Sequence, residues 1–111
     1  MAMFDLRYYL TVDDKAPFER WFEKLNATAA SKVSIALVRL EQGNTSNVKS
    51  LGEGLAEFKI NVGPGYRIYF GRDGAALVIL LTGGDKASQR RDIERAKIYW
   101  ADYKRRKPRV N

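Results

Sequence analysis

The chain contains neither histidine nor cysteine. Without thiols there is no cysteine nucleophile, disulfide framework or iron–sulfur cluster, and without imidazole the usual zinc sites and the Ser-His-Asp triad are excluded. Any chemistry must use Lys, Arg, Tyr, Ser or carboxylates, with no metal or other cofactor expected. Long apolar runs are also missing. The longest, Ala75 to Leu81, is far too short to span a bilayer, and Met1-Ala2-Met3-Phe4-Asp5 shows no basic stretch followed by an apolar one. A cytoplasmic protein with no membrane association is the expectation.

What is present is a globular composition. The 111 residues are 45% apolar, enough for one domain with a real core. Lys and Arg number 20 against 13 Asp and Glu, and the excess is lopsided: the net +7 divides into +6 over Asp85 to Asn111 and +1 over the first 84 residues. Such asymmetry fits a polyanionic partner, nucleic acid most simply, and equally a solvated helix face with a basic tail. Residues 1–106 are read as the domain and 107–111 as the basic C-terminal tail.

The apolar period changes along the chain. Phe4 to Val12 reads as a strand ended by Asp13-Asp14. Asp13 or Asp14 can cap a helix with Pro17 in its first turn, in which Phe18, Trp21, Phe22 and Leu25 share one face. A second helix starting near Asn26 to Thr28 buries Val33, Ala36, Leu37 and Leu40 and stops at Gly43. Beyond Asn44 the period becomes two: a short strand at Val48 to Leu51, then Leu55 to Val62, Tyr66 to Phe70 and Ala75 to Thr82. Ser88 to about Lys104 closes the chain as a helix packing Ile93, Ala96, Trp100 and Tyr103. The order β-α-α-β-β-β(-β)-α predicts an α+β domain with two helices on one face of an antiparallel sheet and a C-terminal helix, the other sheet face partly open.

On that open face a three-residue loop, Gly63-Pro64-Gly65, would set Lys59 opposite Tyr69 and Asn61 opposite Arg67. Two cations and a phenol would then surround one point. Arg offers a bidentate fork and Lys a compact charge for a phosphate, and Tyr69 a surface for a base. The same pattern suits an ordinary solvent-facing strand, and pattern alone favours that.

The junction Gly83-Gly84-Asp85-Lys86-Ala87-Ser88-Gln89 combines glycines with a helix N-terminus, a charge and a hydroxyl, which suits an anion as well as a plain capped connection. Neither a P-loop nor a Rossmann fingerprint is present. Paired carboxylates are not evident, and Glu57 shares the face of Lys59 as a candidate ion-pair partner.

The runs LGEGLAEFKINVGPGYRIYF and LVILLTGGDKASQRRDIERAKIYWADYKRR resemble the RelE/ParE superfamily of toxin–antitoxin toxins, in particular its HigB-like "addiction module killer" branch. The resemblance covers Leu51 to Arg106 and rests on GPGYRIYF, GGDKxSQ and a closing DIxxAxxYW together. It implies a RelE-like fold and a type II toxin that cuts mRNA on the ribosome without a metal, the ribose 2′-hydroxyl attacking the adjacent phosphate. By this resemblance Lys59, Arg67 and Lys86 are the catalytic set: Lys59 as base or electrostatic stabiliser, Arg67 and Lys86 gripping the phosphate. Tyr69, Asn61, Ser88, Gln89, Arg90 and Arg91 would contact substrate. Asn61 stands where such enzymes often carry a lysine and Asp92 near where some carry a tyrosine, leaving Tyr69, Ser88 and Gln89 as proton-donor candidates. The implied partners are a helix-turn-helix, HigA-like antitoxin, the ribosome and mRNA, with operator DNA reached only through the antitoxin complex. ParE-like members inhibit DNA gyrase instead, and an inactive homologue serving only antitoxin and operator binding is the third alternative.

Overall fold

Period-two segments are bound to make a sheet, and the structure shows which of them pair. The computed structural model describes residues 3–107. In chain order the elements are β1 (Asp5–Tyr8), α1 (Pro17–Glu23), α2 (Ala27–Glu41), β2 (Val48–Gly52), β3 (Leu55–Ile60), β4 (Tyr66–Asp73), β5 (Leu77–Gly84) and α3 (Gln89–Arg106). This is the expected α+β order. Of the expected basic tail, residues 108–111 lie outside the described residues.

Strands β2 to β5 form an antiparallel meander, and β1 joins its far edge beside β5, so the five-stranded order is β1-β5-β4-β3-β2. The β1–β5 pair is parallel, which makes the sheet mixed where an antiparallel one was expected. The αα pair carries the chain from one edge of the sheet to the other between β1 and β2, and the three antiparallel hairpins that follow bring β5 back beside β1 running in the same direction.

Helices α1 and α2 cover one face. Phe18, Val33, Ala36 and Leu40 pack on Phe58, Ile60, Ile68, Phe70, Val78 and Leu80. Helix α2 starts where the sequence indicated, with the Asn26 side chain accepting from Ala29 N–H at 2.8 Å. Helix α1 does not: it follows Ala16 with no side-chain cap. Asp14 is held instead in a turn in which its N–H donates to Thr11 O at 2.9 Å and Thr11 N–H donates to Lys15 O at 2.8 Å.

The opposite face is covered over much of its area by α3. Ala96 and Trp100 close a second core with Tyr9, Leu55, Tyr69, Ile79 and Leu81. Trp100 donates to Glu53 O at 2.8 Å, and its ring fills the space where a side chain at Gly71 would stand. The "open" face is therefore a second interior, apart from the end that α3 does not reach.

Candidate active site

Where α3 begins, the second face emerges from cover. Glu57 lies beneath the first residue of the helix and accepts from Gln89 Nε2 at 2.9 Å, while Lys59, two residues further along β3, stays exposed. Across the strand pair Lys59 faces Arg67 directly, and Glu57 faces Tyr69. The expected register, with Lys59 opposite Tyr69 and Asn61 opposite Arg67, is off by two residues. The connection is a five-residue loop, 61–65, because the backbone turns early: Val62 N–H donates to Ile60 O at 2.9 Å and Gly65 N–H to Val62 O at 3.1 Å. A slip of two preserves every side chain's face, so Lys59 and Arg67 remain on one side of the sheet and come closer than expected.

Arg67 is only 4% exposed. Its Nε lies 2.8 Å from Glu57 Oε1, and its Nη1 donates to Gly65 O at 2.7 Å. Glu57 is thus the ion-pair partner of Arg67, not of Lys59. A chain of contacts runs Gln89, Glu57, Arg67, Gly65, joining the first turn of α3 to the β3–β4 loop. Both charged side chains are 5% exposed, so neither can be left alone without a large desolvation cost. This fixes the guanidinium in one place at the wall of a cleft of about 330 Å³, lined by Lys59, Arg67, Gln89, Lys49, Ser46 and Asn47 among others.

The other expected site residues fall in different places. Lys86 is exposed on the β5–α3 loop, and its N–H donates to Pro64 O at 3.3 Å, which ties that loop to the one carrying Gly65. Tyr69 is fully buried under α3; its hydroxyl has no hydrogen-bond partner among the described residues, and burial, reinforced by Glu57, pushes it far above the usual phenol range. It is core, where the open-face expectation had placed it against a base. Asn61 lines a separate concavity with Lys32, Arg39 and Lys59.

Ser88 turns away from the cleft. Its hydroxyl bonds the carboxylate of Asp92, and its N–H donates to Asp85 Oδ1 at 3.1 Å. Asp92 is itself 5% exposed and sits against Gly84, leaving no room for a side chain there. Gly83 gives way in the same manner to the Trp21 ring. The two glycines, read from the sequence as room for a ligand, make room for the protein's own side chains. Arg90 is exposed, and Arg91 lines a second cleft, between α1 and α3, to which Ser88 also contributes. Sequence reasoning missed Ser46 and Asn47, just before β2, and Lys49 within it, and it missed the pairing of Glu57 with Arg67.

A chain with this β-α-α-β-β-β-β-α arrangement and a cationic cleft at the mouth of its sheet falls in the RelE-like class of toxin folds. The family model described as "Phage derived protein Gp49-like (DUF891)" matches residues 20–106, and the chain belongs to this Gp49-like family. It is 43% identical over 82 residues to an "Uncharacterized protein" of Haemophilus influenzae (strain ATCC 51907 / DSM 11121 / KW20 / Rd), covering 73% of this chain and 83% of that one. No helix of the described residues is long and apolar enough to cross a membrane.

Proposed function

We propose that the protein is the toxin of a type II toxin–antitoxin pair and cleaves mRNA on the ribosome, with Lys59, Arg67 and Lys86 as the cations around the reacting phosphate. The observation that carries this is the direct cross-strand pairing of an exposed lysine with an immobilised arginine at one cleft. In the reaction the ribose 2′-oxygen forms a bond to phosphorus as the bond to the 5′-oxygen breaks, leaving a 2′,3′-cyclic phosphate. The proton released by the 2′-hydroxyl passes to water, and the departing 5′-oxygen takes one from water. Positive charge held in place before the reaction stabilises the additional negative charge of the phosphorane-like transition state.

Arg67, locked by Glu57 and Gly65, serves as the preorganised donor, and Lys59 as the mobile charge opposite it. Lys86 approaches from the loop tied to Pro64. Gln89 holds Glu57 and so positions Arg67. The proposed partners are a helix-turn-helix antitoxin, the ribosome and mRNA.

Primer extension on mRNA after induced expression tests this. Discrete cuts are expected with wild type and are lost in Lys59→Ala, an exposed position where the fold is not at stake. Growth arrest by wild type with no cuts would end the proposal. The burial of Arg67 in an ion pair favours one second reading, a non-catalytic toxin of the ParE kind in which that pair is purely structural. It predicts inhibited supercoiling in a gyrase assay and full toxicity of Lys59→Ala.

A further inference from the structure

A larger concavity than the Lys59–Arg67 cleft lies elsewhere. It measures about 740 Å³ and lies between α1 and the first half of α3, floored by Thr82, Gly83 and Gly84 at the end of β5. Strand β1 pairs with Leu77 to Leu80, so among the described residues no strand lies beside this end of β5 on that side. The volume is that of an ordinary ligand site, roughly 300–1,000 Å³.

Both walls are cationic. Helix α1 contributes Arg20 and its C-cap Lys24, one turn apart, helix α3 contributes Arg91 and Arg95, also one turn apart, and Lys15 stands at the entrance to α1. None of these five is in an ion pair among the described residues. The cations further along the molecule behave differently: Lys97, Lys104, Arg105, Arg106 and Lys107 are each paired with a carboxylate. Among the described residues, five of the cations without an ion-pair partner thus converge on this one cleft, while Lys32, Arg39, Lys49, Lys59, Arg72, Lys86 and Arg90 lie elsewhere.

Three carboxylates share the lining, but two are engaged within the fold. Asp92 is buried on Ser88 Oγ, and Asp85 accepts from Ser88 N–H; Asp13 is exposed at the rim. Between the charged walls lie three half-buried rings, Trp21, Tyr66 and Tyr99, and Tyr99 is backed by Tyr9 at a centroid separation of 5.1 Å. Cations flanking aromatic faces are what a flexible polyanion with exposed bases needs: phosphates meet the charges and bases meet the rings. A duplex, whose bases are stacked away, would use only the charges.

We infer that the α1–α3 cleft is a binding groove for single-stranded nucleic acid, separate from the Lys59–Arg67 cleft. The inference does not depend on cleavage. Fluorescence anisotropy with a labelled ten-nucleotide 2′-O-methyl RNA, which lacks the attacking hydroxyl, measures binding alone. A DNA strand of the same sequence, its duplex and a ten-residue poly-glutamate peptide serve as competitors.

Lys24→Gln/Arg91→Gln/Arg95→Gln is expected to weaken binding at least tenfold and to lower the slope of log K against log salt by about 2, near 0.7 for each phosphate no longer neutralised. Tyr99→Leu, which removes the ring but leaves an apolar side chain, is expected to weaken it severalfold. If the triple variant does not fold, as judged by circular dichroism, the three single variants are each expected to lose part of the affinity. Binding within twofold of wild type in the folded variants would overturn the inference. So would a duplex or poly-glutamate competing as well as the single strands, the first pointing to a charge-only surface and the second to an acidic protein partner. RNA and DNA strands competing equally would support a groove that reads phosphate and base; a preference for either would support it and name the strand. Wild type that binds through these cations yet makes no mRNA cuts keeps this inference and removes the cleavage proposal; cuts together with cleft-independent binding do the reverse.

Discussion

Arg67 carries two roles that pull in different directions. As the partner of Glu57 it neutralises a carboxylate that is 5% exposed, and as the wall of a cleft it offers charge to a ligand. Removing one member of such a pair leaves the other uncompensated, at a cost of about 3–5 kcal/mol. Glu57→Ala and Arg67→Ala should therefore each lower urea-unfolding stability by about that much, with the double variant losing clearly less than the sum; additive losses would show that the pair is not coupled. Loss of activity in Arg67→Ala alone thus says little about chemistry, and Lys59 is the cleaner probe. Asp102 offers a second residue-level check. Hydrogen bonds from Arg106 and then Tyr9 hold its carboxyl down to about 2, below the ordinary 3.8. A depressed carboxylate stabilises the fold above its unfolded value and loses that contribution as pH falls. The thermal midpoint should decline between about pH 4 and pH 2, and Asp102→Asn should flatten that part of the curve.

At the scale of elements, the seating of α3 decides the most. Its Trp100 ring occupies the space a side chain at Gly71 would need, so Gly71→Ala must displace the helix or the strand. Overpacking of this kind costs roughly 1–3 kcal/mol, and a lower thermal midpoint should report it. By contrast Asn26→Ala removes one cap bond on α2 and should cost about 1 kcal/mol. Much at this scale was legible in the sequence. The period-two runs placed β2 to β5, and the 3.6-residue stripes placed α2 and the packing face of α3, because side-chain periodicity is local information. Three things were not legible: the absence of a cap on α1, the five-residue loop between β3 and β4, and the parallel β1. Each depends on backbone hydrogen bonds or on long-range pairing that residue type does not encode.

For the whole molecule, the excess charge at the C-terminal end is divided. The last turns of α3 and its C-cap Lys107 pair their cations with Asp102, Glu53 and Asp73, while Arg91 and Arg95, nearer its start, face Arg20 and the C-cap Lys24 of α1 across the large cleft. Exposed ion pairs are worth about 0–1 kcal/mol, so Lys104→Gln/Arg105→Gln should change stability little. Oligonucleotide binding should keep nearly the wild-type salt slope in that variant. A steep loss there, comparable with that expected of the α1–α3 cations, would move the polyanion surface to the end of the helix.

By itself the sequence determined which chemistry is available and which side of the sheet each residue takes. Lacking His and Cys, the chain can offer a phosphate little but Lys, Arg and hydroxyls, and strict alternation puts Glu57, Lys59, Arg67 and Tyr69 on one face whatever the register. Only the tertiary structure decided what covers that face. Because α3 lies across Tyr69 and stops at Glu57, one phenol became core, one arginine became half of a buried pair, and one lysine was left exposed. Coverage arises from the packing of elements distant in the chain, and no local pattern contains it.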